Sequence, residues 1–522
     1  MKTHRFRAAA WPALLVCMIV GGYGLGQFVA KLQSADKPIP IVISKETTYF
    51  TEPLTKDGEV DFHAAINAYY GQNIKPDENA AIAIWEIGRH DLHQEALTQL
   101  YQIWHAERPR NWQPLTVPLL TGPVREKERR LELQFFESLK TPWTAEAYPE
   151  IAQWLEANSQ AVDAIHQAIK RPKYFVPSVH EPDRPGAGML NWSPDGPREL
   201  GMMLVSRAML HLGNRQYDAA WDDLIAAARL GRLFGTGITY PELSAGWAIE
   251  WMAYDGMLAY LKLAPVTSEH AQACRKALAV LPSRASFTNV LSVDQRIAVI
   301  NYVLSIFQNP NSTRVLGISS GVSLETPLSP DDVAGIGKVD LNAALREVNR
   351  RFDHWVTSIR PTQGVERLRM VKVLYNRLEL DAPDYPEVLE ACRAIQSKKD
   401  AEVVGTMLGT LVAYFFLDIY EQMAVTEAWR EQQVILIDTG FALAAWHAER
   451  GDYPEQLTDL VPKYLAELPR DLFRDAPFNY RRTPEGYVLY SVGPNGKDEE
   501  GRNSRRPHGE NDDIALKIKR GS

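Results

Sequence analysis

A mainly α-helical fold is predicted for this chain: an ectodomain of helical hairpins, preceded by one transmembrane helix and closed by a small α+β module. Three observations carry that expectation. Apolar residues recur at helical spacing, between proline and polar turns, over most of residues 61–450. A charge-free stretch from Ala8 to Ala30 follows Lys2, His4, Arg5 and Arg7. From Phe441 onward the pattern changes, as a helical run gives way to short segments rich in tyrosine and glycine.

The N-terminal stretch would make a helix about 34 Å long, enough to cross a hydrocarbon core of about 30 Å. It is longer than the apolar region of a signal peptide, and no small-x-small cleavage site follows it, so it reads as a signal anchor; cleavage stays open. Lys/Arg before the span outweigh Lys31 and Lys37 with Asp36 after it, which places the N-terminus inside. The expected location is the inner membrane, single-pass, with the bulk of the chain on the periplasmic side.

At 522 residues, with 45% hydrophobic and 23% charged residues, the chain has enough apolar material for several domains. A net charge of −8 argues against nucleic acid as a partner, since phosphate binding needs a concentrated positive field. Of three cysteines, Cys17 lies in the expected span. Cys274 and Cys392 are either one disulfide or two buried thiols; their sequence separation does not decide.

Past the anchor, Pro38 to Ile43 is extended, because each residue before a proline is pushed out of the helical region. Thr47 to Pro53 is β-prone. Asp61 caps a helix with Phe62, Ala65, Ile66 and Tyr69 on one face. Helices are then expected over 79–89, 91–106, 125–139 and 145–169, an irregular Pro/Gly segment over 171–197, and further helices over 199–263, 342–360 and 362–380. Tyr217, Ala220, Leu224 and Ala227 follow the spacing of a tetratricopeptide-like helix, but no repeat array follows, so an ordinary hairpin is the reading. Val403 to Leu417 is uncharged yet too short to span a membrane; it reads as a core helix on which the C-terminal module packs. The expected organisation is residues 1–31 as tail and anchor, 32–197 as a helical region with a β-prone start, 198–400 as a second helical region with a loop at 309–338, and 401–522 as core helices plus the tail module.

Chemistry elsewhere is thin. Gly317-Ile318-Ser319-Ser320-Gly321 matches a nucleophile elbow in letters, but lacks a good strand before it and a helix after it. His90 and His93 flank Asp91, with Glu95 near, without zinc-site spacing elsewhere. The neighbours Asp222-Asp223 and Asp331-Asp332 point in different directions and make no acid/base pair by themselves. Trp221, Trp247, Trp251, Tyr254 and Tyr260 read as core, with a peptide or glycan groove as the alternative.

The tail is the exception. Gly451-Asp452-Tyr453-Pro454 ends a helix; Leu457, Leu460, Pro462, Tyr464, Leu468-Pro469, Phe473, Tyr480 and Gly486-Tyr487 follow; then come Ser491-Val492-Gly493-Pro494-Asn495-Gly496 and Asp512-Asp513-Ile514. Residues 441–514 resemble the soluble end of the major pseudopilin of type II secretion, and the whole arrangement, including Thr51 to Leu54, is similar to uncharacterised membrane-anchored bacterial envelope proteins. The resemblance implies a calcium-binding loop, with Asp498, Asp512 and Asp513 as ligands alongside carbonyls, since calcium takes six to eight oxygens. Asn495 stands where that family has Asp, and a longer insert brings Arg502, Arg505 and Arg506. No Gly-Phe-x-x-x-Glu processing motif precedes Ala8, so the chain is not itself a pilin subunit. The expectation is a structural or protein-interaction protein of the envelope, with envelope proteins and the membrane as partners; a membrane-anchored hydrolase is the alternative.

Overall fold

The computed structural model describes residues 41–88, 94–110, 114–117, 119, 126–179, 195–308, 329–503 and 510–519. The expected transmembrane helix requires correction. Among the described residues no helix is long and apolar enough to cross a membrane, and Ala8 to Ala30 lies outside them. The fold class becomes mainly α with a small strand-bearing C-terminal module, and no membrane-spanning helix is seen among the described residues.

α1 (Phe62–Tyr70) starts where expected because the Asp61 carboxylate accepts the Ala64 N–H at 2.9 Å. α2 (Ala80–Ile87), α3 (Gln94–Ile103) and α4 (Glu126–Ser138) follow. The single helix expected over 145–169 is two, α5 (Pro149–Ala157) and α6 (Ser159–Ala168). Buried Asn158 sits at the break, its amide accepting from Val117 N at 2.8 Å and donating to Val117 O at 3.1 Å. A long-range bond of this kind leaves no mark on local periodicity. The β-prone start likewise forms turns and one isolated bridge, Leu54 to Val60, instead of a strand. Asn349 Nδ2, donating to the Thr47 carbonyl at 2.9 Å, holds it against the helical body.

α7 (Asp195–Gly213), α8 (Tyr217–Phe234) and α9 (Tyr240–Leu263) pack side by side as the hairpin stack. Thr239 and Glu242 close a capping box on α9. Where α8 meets α9, a Cβ at Gly246 would lie 2.5 Å from the Gly231 carbonyl, so only glycine permits this approach. α10 (Ser268–Ala279) follows, and α11 (Phe287–Val290) passes through a π turn, Leu291–Gln295, into α12 (Arg296–Gln308). α13 (Pro330–Ile336), α14 (Leu341–Ile359), α15 (Gly364–Asp381), α16 (Tyr385–Arg393) and α17 (Lys398–Phe415) lead to α18 (Leu417–Arg450).

α18 is the spine: 34 residues, about 51 Å at 1.5 Å per residue, packed on α9, α10 and α15. It stops at Gly451, whose φ of +78° lets the chain turn left-handed while its N–H bonds the His447 carbonyl. Beyond it come β1 (Arg470–Asp471), β2 (Ala476–Pro477), β3 (Asn479–Thr483), β4 (Gly486–Ser491) and β5 (Ile514–Lys519). β3, β4 and β5 form an antiparallel sheet in that order, with Ser491 opposite Ile514. Ile514, Leu516 and Ile518 are buried at alternate positions, and that period-two pattern was the unread sign of β5. The module does not rest on α17, as expected, but on α18 and α9: a Cβ at Gly440 would meet Leu516 at 2.6 Å and Leu261 at 2.9 Å.

One continuous apolar core runs from Ile66 to Ile518. Trp221, Trp247, Tyr254 and Tyr260 belong to it, in keeping with the core reading of that aromatic set, while Trp251 is only half-buried and stands outside it. Cys274 and Cys392 are buried free thiols, which settles their pairing.

Candidate metal centre

The module's loop between β4 and β5 folds back on the residues that enter β5. Asp471, wholly buried, anchors its start: the carboxylate accepts from Ser491 Oγ at 2.8 Å, Val492 N at 2.9 Å and Phe473 N at 2.9 Å. Gly493 then turns with φ +67°, and a Cβ there would stand 2.2 Å from the Asp512 carbonyl. The two ends of the loop thus touch only because this residue is glycine.

Asp512 and Asp513 are both fully buried. Asp512 Oδ2 accepts from Asn495 N at 3.2 Å. Asp513 Oδ2 accepts from Gly501 N at 2.7 Å and Glu499 N at 3.1 Å. Glu499 Oε1 accepts from Asn495 Nδ2 at 2.7 Å and from Asn511 N at 3.3 Å. The Glu499 carboxyl lies within hydrogen-bonding reach of that of Asp513. Each keeps one buried oxygen, Glu499 Oε2 and Asp513 Oδ1, without a hydrogen-bond partner among the described residues. Burial, with the Glu499 carboxylate alongside, pushes the Asp513 carboxyl up to about 6. Two facing carboxylates whose inner oxygens are buried without donors can share a proton or a cation.

Of the three residues picked from the sequence, Asp512 and Asp513 come together and Asp498 does not join them. Asp498 is exposed, its Oδ1 accepting from Tyr490 Oη at 2.9 Å and Glu500 N at 2.9 Å. Glu499, one residue on, faces inward in its place. Which of two adjacent acids turns inward depends on the loop's path, so no motif could have selected it; Asp471 likewise carries no motif. Asn495, in the position of the resembled family's Asp, donates its amide to Glu499 instead of adding a charge. Arg502 is directed at the Glu499 carbonyl, at 2.8 Å, and not at its carboxylate; Arg505 and Arg506 lie outside the described residues. Among the described residues, no three His, Cys, Asp or Glu side chains gather into a cage by themselves. Glu499 and Asp513 fit a hard cation only with carbonyl oxygens completing the shell, which is calcium's habit.

The remaining sequence candidates supply no second centre. Gly317 to Gly321 and the His90, Asp91, His93 set lie outside the described residues. Asp222 is exposed while Asp223 is buried, held by Arg207 at 2.6 Å and His166 at 2.9 Å. Asp332 is buried against Ser329 and Arg393 with Asp331 exposed, so both pairs do point apart. No protein-family model, no curated protein and no solved structure matches the chain.

Proposed function

We propose that this chain is a structural or protein-interaction protein: a helical scaffold carrying a pseudopilin-like module whose β4–β5 loop is stiffened by calcium. The observation that carries the reading is the pairing of half-buried Glu499 with buried Asp513, with one buried, unsatisfied oxygen on each carboxylate. Glu499 and Asp513 would hold the ion, with Asp512 and Asp471 shaping the loop around it. Two carboxylates and neutral oxygens make a weak site, of the 10⁻⁴–10⁻³ M kind found in extracellular modules. That strength suits a compartment outside the cytoplasm. The α18 stem supports an internal role for the module, since its buried face is already occupied by α9, α10 and α15.

Thermal unfolding with calcium and with chelator tests this. Calcium at about 100 times its Kd stabilises a folded-state site by about 2.7 kcal/mol. The rise should vanish in Asp513→Asn and Glu499→Gln and persist in Asp498→Ala. Equal curves with and without calcium, on protein of native circular dichroism, would reduce the loop to a proton-sharing acid pair.

A further inference from the structure

Two acids share one helix start in the core. Glu242 is wholly buried and Asp294 is 6% exposed. Glu242 Oε2 accepts from Thr239 N at 3.1 Å, and Asp294 Oδ2 accepts from the next amide, Tyr240 N, at 2.9 Å. Consecutive amides at the head of α9 thus hold both carboxyls. Glu242 reaches its amide from within α9, whereas Asp294 comes from the π turn, 54 residues beyond Tyr240.

No basic side chain pairs with either acid among the described residues. Arg296, just past the π turn, is directed at Asp353 Oδ1 of α14 at 2.7 Å instead. The groups that bear on the two acids are neutral ones. Tyr174 is close enough to Glu242, and Tyr70 of α1 and Tyr420 of α18 to Asp294, to sense their charge. The Gln295 amide donates to Asp294 Oδ2 at 2.9 Å. Glu242 Oε1 and the hydroxyls of Tyr174 and Tyr420 are buried without a hydrogen-bond partner among the described residues. A Cβ at Gly237 would stand 2.4 Å from the Glu242 carboxyl carbon, so the chain closes tightly over that acid.

Two bare carboxylates on adjacent amides, buried without a cation, repel each other at a cost the helix dipole only partly offsets. A single proton on the pair removes that repulsion. We propose that the Glu242–Asp294 pair is a proton-held latch, tying the π turn to the head of α9 and releasing it locally as pH rises. Turns of this kind are rare and recur at functional sites. Burial pushes the Asp294 carboxyl up to about 6 and, with Asp294 alongside, the Glu242 carboxyl up to about 8. Both are raised, so their stabilising contribution is complete below ordinary carboxylate values. That of Asp294 is lost as pH rises through about 6, and that of Glu242 through about 8. Between those values opening releases one proton, and each pH unit favours the open form about tenfold.

Amide hydrogen exchange on the full chain, corrected for the chemical exchange rate, tests the latch. Protection of the amides within 239–243 and 291–296 should be lower than that of α17 at every pH, as local opening requires. It should fall about hundredfold from pH 6 to pH 8. Glu242→Gln, which mimics the protonated acid, should abolish the fall. If that variant fails to fold, Asp294→Asn removes the neighbouring charge and should end the fall at a lower pH. Protection equal to that of α17 throughout, which whole-chain unfolding alone would give, overturns the proposal. So does a wild type without the fall, or an unchanged fall in the folded variants.

Discussion

The helical seam where α9 and α15 pack on α18, and the C-terminal loop, both bury charge, and they solve the cost in opposite ways. In the seam, carboxylate meets guanidinium: Glu250 with Arg284 and Glu427 with Arg367. In the loop, carboxylate faces carboxylate, and backbone N–H groups from Glu499, Gly501 and Asn511 satisfy only part of the oxygens. A complementary pair is complete within its own chain. A like-charged pair is complete only with a proton or a cation from outside. The difference separates charge used to specify packing from charge held for a ligand.

The largest test of that contrast is to unbalance the seam. Arg284→Met strands Glu250 in the core and should cost about 3–5 kcal/mol, independent of calcium. Urea unfolding measures it, and a calcium-sensitive loss would show that the two regions are not separate. Gly493→Ala attacks the loop instead. A Cβ cannot sit 2.2 Å from the Asp512 carbonyl, so the substitution should cost at least about 1–3 kcal/mol of strain. It should also erase the calcium-dependent shift in melting temperature, whereas an unchanged shift would separate the site from the loop closure.

A third case is acid without a partner. Glu242 is fully buried; its Oε2 accepts from Thr239 N and Oγ, while Oε1 has no partner among the described residues. Burial pushes its carboxyl up to about 8. A raised carboxyl stabilises the fold in its protonated form: the contribution is complete below the ordinary glutamate value and is lost as pH rises through about 8. Glu242→Gln should therefore flatten the fall in stability between about pH 5 and pH 8, a comparison of unfolding midpoints across pH. An unchanged slope would assign that fall to other groups. The smallest expected effect is a sharpening one. Asn495→Asp exchanges an amide donor for a third carboxylate beside Glu499, so it should lower stability in chelator and tighten calcium binding roughly tenfold. Weaker binding would argue that Asn495 is needed as a donor.

Much of the fold was legible along the chain, for local reasons. Asp61 and Gly451 mark helix ends because caps satisfy backbone groups within a few residues. The divergence of Asp222 from Asp223 and of Asp331 from Asp332 follows from helical geometry alone. The metal loop was legible as a region and not as a set of ligands. Its closing strand β5 announced itself only by the alternation of Ile514, Leu516 and Ile518.

The sequence by itself determined the capped start at Asp61 and the Gly451 turn, since each depends on neighbours in the chain. Tertiary structure alone decided that Asn158 splits a helix, that Gly493 must be glycine, that Glu499 turns inward in place of Asp498, and that the module sits on α18 and α9. Those outcomes rest on groups far apart in sequence meeting in a dry interior. There the cost of an unsatisfied charge or amide outweighs any local preference.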